Sequence, residues 1–186
     1  MTDIMQNNTK GVAGEPMSRG IRVRADFFRA RMNPHTAILI IGCRNGALIQ
    51  HISRGNRVVC IDTDANRLAA VVEALSLEPV FMDLAGDWAD LHGRKFDRIV
   101  VDEAYGRIDY ATLFYKAAHH LVPGGVLIGV VPGGALAPEY MQAAVQAFGS
   151  VEVLTVRREG FFAKILSWFF SRERAFVCAY PKTPTS

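Results

Sequence analysis

The sequence has little cysteine and no long uninterrupted hydrophobic run. Its 186 residues include three cysteines, Cys43, Cys60 and Cys178, which lie far apart and form no CxxC motif. This spacing excludes a disulfide framework and argues against a structural zinc site. The longest apolar stretch near the end, residues 160–170, is interrupted by Lys164 and has about half of the ~20 residues that a helix needs to cross a bilayer. No transmembrane segment is predicted.

A secretory signal is also missing from the start of the chain. Residues 1–14 are polar and contain no apolar stretch of the kind that such a signal requires. Because the cysteine usage also disfavours an oxidising compartment, we expect the protein to be cytoplasmic.

Neither sign of charge dominates, and the net charge is only +3. Residues 1–36 and 151–186 each hold six basic and three acidic residues, whereas residues 37–150 hold nine basic and twelve acidic ones. This modest asymmetry is much weaker than a nucleic-acid-binding tail, so it argues against a nucleic acid partner. With half of its residues hydrophobic, the chain is predicted to form one globular domain of ordinary size.

Short β-branched runs alternate with longer segments of helical spacing, a pattern typical of successive βα units. It predicts an α/β fold, a doubly wound and mostly parallel seven-stranded sheet that ends in an antiparallel hairpin. The predicted strands are 37–41, 57–61, 79–82, 96–101, 126–131, 151–157 and 175–180. The predicted helices are 21–32, 47–53, one that begins after Asp64, a short one near Trp88 and Leu91, 110–121 and 137–148.

Two segments fall outside this repeating pattern. Residues 1–36 are predicted to form a tail and a basic amphipathic helix ahead of the domain at 37–186. Residues 160–171 (GFFAKILSWFFS) form an aromatic insertion between the last two strands. Because both segments combine arginine or lysine with apolar residues, segments 19–32 and 160–174 are candidate surfaces for a membrane or a partner protein. Packing of the insertion on the sheet and coverage of a hydrophobic substrate are the competing interpretations.

Candidate ligand-binding residues follow the predicted strands, at the edge where open parallel sheets bind their ligands. Gly42 and Gly46 bracket a tight turn after the first strand, where backbone N–H groups can approach a ligand. Asp62 ends the second strand and can accept bonds from both hydroxyls of a ribose, although it can also cap the next helix. Asp83 ends the third strand, where it can receive an exocyclic amino group or simply form a turn.

With these residues in place, the chain resembles the class I S-adenosylmethionine-dependent methyltransferases over roughly residues 37–180. The segments that carry the resemblance are IIGCRNG, VVCIDTD, VFMD, and FDRIVVDEAY followed by HHLVPGGVLI. The resemblance implies S-adenosylmethionine as the cofactor. Its implied contacts are Gly42 and Gly46 for the methionine part, Asp62 for the ribose and Asp83 for the adenine, with Cys43, Arg44 and Thr63 as further cofactor-binding residues.

Two positions differ from the pattern of the resembled family. The family usually has an acidic residue two places before the first glycine, where this chain has Ile40. It also usually has a middle glycine, where this chain has Arg44. Ile40 removes a group that helps to hold the loop and the methionine amine, whereas the charge of Arg44 can meet the carboxylate of the cofactor.

The candidate catalytic residues follow the fourth strand. Methyl transfer needs alignment of the nucleophile and, when that nucleophile carries a proton, a base. Asp102 is the candidate base and Tyr105 its neighbour, while the competing interpretation is that the acidic pair Asp102 and Glu103 only solvates a loop. His119 and His120 fall at a helix end, where they favour the helix dipole, and are not assigned to the site.

The sequence therefore predicts methyl transfer from S-adenosylmethionine to a small or lipophilic acceptor, with no metal. Three alternatives stay open: a methyltransferase-like scaffold without catalysis, which Ile40 and Arg44 motivate, an aminopropyltransferase-like enzyme, and a regulatory domain that binds NAD.

Overall fold

The computed structural model describes residues 19–43, 46–75, 77–81, 88–102, 109–130, 138–156 and 174–180. The helices are α1 (Arg19–Arg29), α2 (Gly46–Ser53), α3 (Ala65–Leu75), α4 (Tyr110–His120) and α5 (Pro138–Ala147), with a short 3₁₀ helix at Ala89–Leu91. The strands are β1 (Ala37–Ile41), β2 (Arg57–Asp62), β3 (Glu78–Phe81), β4 (Phe96–Val101), β5 (Leu121–Val130), β6 (Ser150–Val156) and β7 (Arg174–Tyr180).

All seven strands join one sheet in the order β3-β2-β1-β4-β5-β7-β6. The first five are parallel, whereas β7 runs antiparallel to both β5 and β6. The predicted α/β class, the mostly parallel seven-stranded sheet and the antiparallel pairing of the last two strands are confirmed.

The sheet separates two apolar layers, and β1 contributes to both because successive strand residues point to opposite faces. Ile38 and Ile40 belong to the layer that includes α1, α2 and α3. Leu39 and Ile41 belong to the layer that includes the 3₁₀ helix, α4 and α5. This two-sided burial explains why the central strand is apolar at every position.

Helix α1 packs on the sheet as part of the core. Its residues Ala25 and Phe28 are fully buried, and Met32 just beyond it is also buried, all in the layer that holds Ile38 and Ile40. The helix ends at Arg29, three residues before the predicted end, and Ala30 N makes its last four-residue hydrogen bond, to Asp26 O. The N–H groups of Arg31 and Met32 instead donate to carbonyls three residues back, in a tightened last turn.

The start of β5 is the clearest difference from the predicted elements. The sequence places a helix through Leu121 and a strand from Val126 onward, whereas the helix ends at His120 and the strand begins at Leu121. Leu121 pairs with Phe96 and Val126 with Arg98, so the register shifts between these pairs and residues 122–125 of β5 lie opposite a single residue of β4. The Pro-Gly-Gly segment therefore lies inside the strand and does not precede it.

None of the helices in the described ranges is long and apolar enough to cross a membrane.

Candidate functional site

The ends of β2, β1 and β4 lie side by side, and the residues that follow them continue the sheet pairing. The N–H group of Gly42, just after β1, donates to Ile61 O in β2 at 3.0 Å. The N–H group of Asp102, just after β4, donates to Ile41 O in β1 at 3.3 Å. Gly42 is therefore flanked by the end of β2, where Asp62 lies, and by Asp102.

The turn after β1 depends on Gly42. Its φ of 90° lies in the left-handed region that residues with a side chain rarely adopt. After the turn, α2 begins at Gly46, which is buried. Because Gly46 follows the end of β1 closely in the chain, the amino terminus of this helix lies at the same edge of the sheet. Backbone N–H groups at a helix amino terminus attract negatively charged or polar ligand groups. Gly42 and Gly46 thus lie at the two ends of the connection between β1 and α2, whose residues 44 and 45 lie outside the described part of the chain, so the predicted turn itself stays a prediction.

Asp62 holds the turn after β1 and the entry to α3 at once. Asp62 is 3% exposed. Its Oδ2 accepts a hydrogen bond from Cys43 N at 2.7 Å, and its Oδ1 accepts one from Asp64 N at 2.9 Å. Thr63, beside it, is exposed. The structure thus places four predicted cofactor contacts, Gly42, Cys43, Asp62 and Thr63, next to one another, with Gly46 opening α2.

Asp102 forms a buried ion pair that the sequence did not reveal. Arg24 Nη1 of α1 donates to Asp102 Oδ1 at 3.0 Å, and the two side chains are 4% and 2% exposed. The partners are 78 residues apart in sequence. From the sequence, Arg24 is only one of the basic residues of the predicted first helix, and no pairing with Asp102 is predicted.

The basic residues of the α1 region serve the fold more than its surface. Besides Arg24, Arg29 donates to Arg54 O at 2.8 Å. Arg31 donates to Phe27 O and lies 3.7 Å above the ring of Phe27. Arg22 is exposed. The role of segment 19–32 as a surface for a membrane or a partner protein stays a prediction. The segment presents fewer charges to solvent than the sequence suggested.

Ile40, the residue that replaces the acidic position of the resembled family, is fully buried in the layer that contains α1 and α2. A carboxylate at this position would be buried among apolar side chains, at a high cost in desolvation. The substitution therefore fits the way α1 packs in this chain.

Several predicted residues lie outside the described part of the chain: Tyr105, Asp83, Arg44 and nearly all of segment 160–174, including the whole aromatic insertion. Their proposed roles stay predictions. His120, in contrast, has a packing role, because its Nδ1 is 2.9 Å from Arg94 O and its ring lies 5.6 Å from that of Trp88. Cys43 and Cys60 are buried free thiols.

Away from the three strand ends, a cleft of about 350 Å³ lies between the start of α4 and one side of α5. Residues 109–111 line it together with Glu139, Gln142, Ala143 and Gln146, and none of the predicted site residues contributes. Across the ranges that the structure describes, no group of three or more His, Cys, Asp or Glu side chains could hold a metal ion.

Comparison with known proteins identifies the fold. No protein-family model and no curated protein sequence matches the chain. The N-methyltransferase NodS from Bradyrhizobium japonicum superposes with a TM-score of 0.68 at 16% identity, covering 91% of this chain and 99% of NodS. NodS in complex with S-adenosyl-L-homocysteine gives a TM-score of 0.67.

Two further solved structures extend the comparison. A TehB-like S-adenosylmethionine-dependent methyltransferase from Corynebacterium glutamicum has a TM-score of 0.64 at 16% identity, covering 85% of this chain and 86% of its own. The precorrin-6y C5,15-methyltransferase from Geobacter metallireducens also has a TM-score of 0.64, at 14% identity, covering 92% of this chain and 93% of its own. The chain has the Rossmann-like fold of the class I S-adenosylmethionine-dependent methyltransferases.

Proposed function

We propose that this chain is a methyltransferase that uses S-adenosylmethionine to methylate a small or lipophilic acceptor. One observation carries the proposal: the Gly42 turn, the start of α2 and the Asp62 carboxylate meet at the carboxyl edge of the sheet. In open α/β sheets this edge, where the strand order reverses beside β1, is where nucleotide ligands bind. The strand order here reverses between β1 and β4.

The residues at this edge suit the cofactor chemically. Gly42 has no side chain to block a close backbone approach, and the amino terminus of α2 favours the methionine carboxylate. Asp62 already accepts two backbone N–H groups. A carboxylate offers about four lone-pair sites, so these bonds are compatible with further bonds to ribose hydroxyls. Cys43, Arg44, Gly46 and Thr63 complete the proposed contacts near the methionine and ribose, and Asp83 that to the adenine.

The cofactor supplies a methyl group that is already activated on a positively charged sulfur. The contribution of the chain is to hold the acceptor in line and to remove its proton when it carries one. We assign the second task to the Asp102 carboxylate, which pairs with Arg24, and we propose Tyr105 as a second catalytic residue. The alternatives, a scaffold without catalysis and aminopropyl transfer, gain no support from the named neighbours, which are described as methyltransferases.

Calorimetric titration with S-adenosylmethionine and S-adenosylhomocysteine tests the cofactor assignment. We expect binding of both ligands by the wild-type chain, and the absence of heat at millimolar ligand would overturn the proposal. Turnover of S-adenosylmethionine with a panel of small and lipophilic acceptors then tests the activity, and a stable protein complex without turnover would favour the scaffold alternative.

Replacement of Asp62 by asparagine tests the ribose assignment. Asp62→Asn keeps one acceptor oxygen but loses the charge and the second acceptor, so we expect affinity for both ligands to fall at least about tenfold, the loss of a charged hydrogen bond. Asp90→Asn, at an exposed residue of the 3₁₀ helix, makes the same chemical change away from the site and should leave both affinities unchanged. Equal affinities for wild type and Asp62→Asn would contradict the assignment.

A further inference from the structure

The edge of the sheet opposite the proposed cofactor site carries several arginines. Arg57 begins β2 and Arg98 lies near the start of β4, where they pair with Ala37 and Ile38, the first two residues of β1. The other arginines come from the end of α1 and from the connections that lead into β1 and β2. The basic edge comprises Arg29, Arg31, Arg54, Arg57 and Arg98.

Backbone carbonyl groups hold these segments together at the basic edge. Arg29 Nη1 donates to Arg54 O and Arg98 Nε donates to Arg31 O, both at 2.8 Å. Arg54 and Arg57 are exposed, and the other three arginines are partly exposed. A carbonyl oxygen accepts a hydrogen bond without neutralising the guanidinium, which stays protonated in proteins. The arginines are thus held in place with their positive charges intact.

Positive charge exceeds negative charge at this edge. Within the described ranges, none of the arginines of the basic edge forms an ion pair with a carboxylate. Asp97 of β4 accepts a hydrogen bond from Ala37 N at 2.7 Å. Asp26, one turn before the end of α1, has its carboxylate 3.6 Å from His51 Nε2. These two carboxylates do not balance the guanidinium groups, so the basic edge should attract anions.

The position of the basic edge separates it from the proposed cofactor site. Strands β1, β2 and β4 have five, six and six residues and connect the two edges. At about 3.3 Å per residue, the two edges are roughly 17–20 Å apart. An anion bound at the basic edge is therefore not the methyl acceptor and does not compete with the cofactor. The basic edge is suited to docking and not to catalysis.

The charges at the basic edge fit a planar anionic surface better than a nucleic acid. The arginines come from separate segments of the chain, so their charges are spread over an area and do not follow one ridge. Surfaces that bind nucleic acid usually add aromatic side chains that stack on bases, or an element that enters a groove. None of the exposed large hydrophobic residues in the described ranges lies within residues 29–36, 54–57 or 95–98, which form this edge.

We propose that the basic edge docks this chain on a membrane surface rich in anionic lipid. Attraction to such a surface needs only positive charge close to the headgroups, and guanidinium groups that the fold already holds lose little freedom on docking. The carboxyl edge of the sheet then faces away from the bilayer, which leaves the proposed cofactor site open. The docking surface is made by the end of segment 19–32 together with the starts of β2 and β4, and not by the outer face of α1.

Sedimentation with lipid vesicles tests the proposal on the full chain. We expect the wild type to bind vesicles rich in phosphatidylserine at low salt, and to bind vesicles of phosphatidylcholine alone at least about tenfold more weakly. At about 1 M salt, where charges are screened beyond ~3 Å, the preference for phosphatidylserine should disappear.

Arg54 and Arg57 are suitable positions for substitution, because both are exposed and neither side chain makes a hydrogen bond within the described ranges. Each arginine near an anionic membrane adds about fivefold to the affinity, so Arg54→Gln/Arg57→Gln should weaken binding at least about tenfold. Arg54→Lys/Arg57→Lys keeps both charges and should bind within about twofold of the wild type. Arg22→Gln is the matched control, since Arg22 is exposed in the first turn of α1, towards the opposite edge of the sheet, and its loss should leave binding unchanged.

Three results would overturn the proposal. The wild type does not bind phosphatidylserine vesicles, or Arg54→Gln/Arg57→Gln binds them as tightly as the wild type, which would assign the binding to another surface. The third is that a single-stranded RNA displaces the wild type from the vesicles at an equal concentration of phosphate groups, because the basic edge then prefers a nucleic acid.

Calorimetry with S-adenosylhomocysteine keeps this test separate from the proposed function. Both double variants should retain the wild-type affinity for this ligand, because the substitutions lie at the edge opposite the proposed cofactor site. If the wild type does not bind the ligand, the proposed function fails, while the vesicle measurements still decide whether the basic edge is a docking surface.

Discussion

At the scale of single residues, the Tyr140 hydroxyl is an unusual group in the core. Tyr140 is 1% exposed, and its hydroxyl has no hydrogen-bond partner within the described ranges. Burial raises the pKa of this hydroxyl far above its usual range, so the group stays protonated. It lies against Gly129 of β5, where a Cβ would overlap the Tyr140 Oη. Gly129 thus makes room for a hydroxyl that gains no visible bond.

Removing that hydroxyl should therefore stabilise the fold. We expect Tyr140→Phe to raise the free energy of unfolding by about 1 kcal/mol, because an unsatisfied buried polar group is removed. Gly129→Ala should lower it by about 1–3 kcal/mol through the overlap with Tyr140. In the double variant the loss should be smaller than for Gly129→Ala alone. Urea unfolding measures all three, and a marked loss in Tyr140→Phe would mean that the hydroxyl is satisfied, for instance by a buried water.

Single residues also mark the limit of what the sequence predicts about the site. Asp62 was identifiable because it ends an apolar strand, and strand ends are adjacent in a parallel sheet. Its bonds to Cys43 N and Asp64 N place it between the turn after β1 and the entry to α3, while its contact with a ribose stays a prediction. The partnership of Arg24 with Asp102 was not identifiable, since it depends on how α1 is oriented on the sheet.

At the scale of elements, α4 begins at a charged cap. Asp109 accepts hydrogen bonds from Ala111 N at 3.1 Å and Thr112 N at 3.2 Å, as well as from the Thr112 hydroxyl. These bonds, led by that from the Thr112 side chain, lower the pKa of the Asp109 carboxyl. An aspartate whose pKa is lower in the folded state stabilises the fold above its unfolded pKa of about 4. That contribution is lost as the pH falls through the folded value.

Asp109→Ala should consequently be pH-dependent in its effect. At pH 7 we expect a lower urea midpoint than for the wild type, because two backbone donors lose their cap. As the pH falls below about 4, the difference between the two proteins should shrink. Asp109→Ser retains one acceptor without a charge and should give an intermediate midpoint at pH 7. A difference that stays constant from pH 7 to pH 3 would contradict the role of the ionised carboxylate.

Helix α1 is the element whose role changes most between sequence and structure. A basic amphipathic helix ahead of the domain suggested a surface for partners, yet Phe28 is fully buried beneath it. We expect Phe28→Ala to lower the free energy of unfolding by about 3–5 kcal/mol, the usual cost of removing a buried phenylalanine. Val23→Ala, on the same helix and 40% exposed, should change it by less than about 0.5 kcal/mol. Similar small effects for both would mean that α1 is not docked.

The bounds of helices and strands were predictable where a periodic pattern of apolar residues ends at a polar residue. Strands β1 and β4 begin and end as the sequence predicts. The start of β5 was missed because Pro-Gly-Gly usually interrupts a strand, whereas here the pairing of Leu121 with Phe96 extends the strand across it. The neighbouring strand decides where such a strand begins, and that neighbour cannot be identified from the local sequence.

At the scale of the whole molecule, ligand binding should be measurable as stability. A ligand that binds only the folded state, at 100 times its Kd, adds about 2.7 kcal/mol to the free energy of unfolding. For a chain of this size that corresponds to a rise in Tm of roughly 5–10 °C. We expect this rise with S-adenosylhomocysteine for the wild type and a smaller one, at the same ligand concentration, for Asp62→Asn. An identical rise in both would place the ligand elsewhere.

The overall architecture was accessible from the alternation of strands and helices, because right-handed crossovers leave few ways to connect parallel strands. What the pattern could not supply is the insertion of β7 between β5 and β6. An antiparallel hairpin added at the sheet edge in either order would satisfy the same hydrophobic pattern. The long-range register of β7 with β5, such as Leu127 with Ala179, makes the choice.

This strand order has a consequence for biosynthesis. In the sheet, β7 lies between β5 and β6. As the chain emerges from the ribosome, β6 is synthesised before β7 and therefore has no strand to pair with. Until residues 174–180 are released, one edge of β5 has unpaired backbone N–H and C=O groups. Such an exposed sheet edge can pair with strands of other chains. The nascent protein is therefore most exposed to aggregation just before its seventh strand enters the gap.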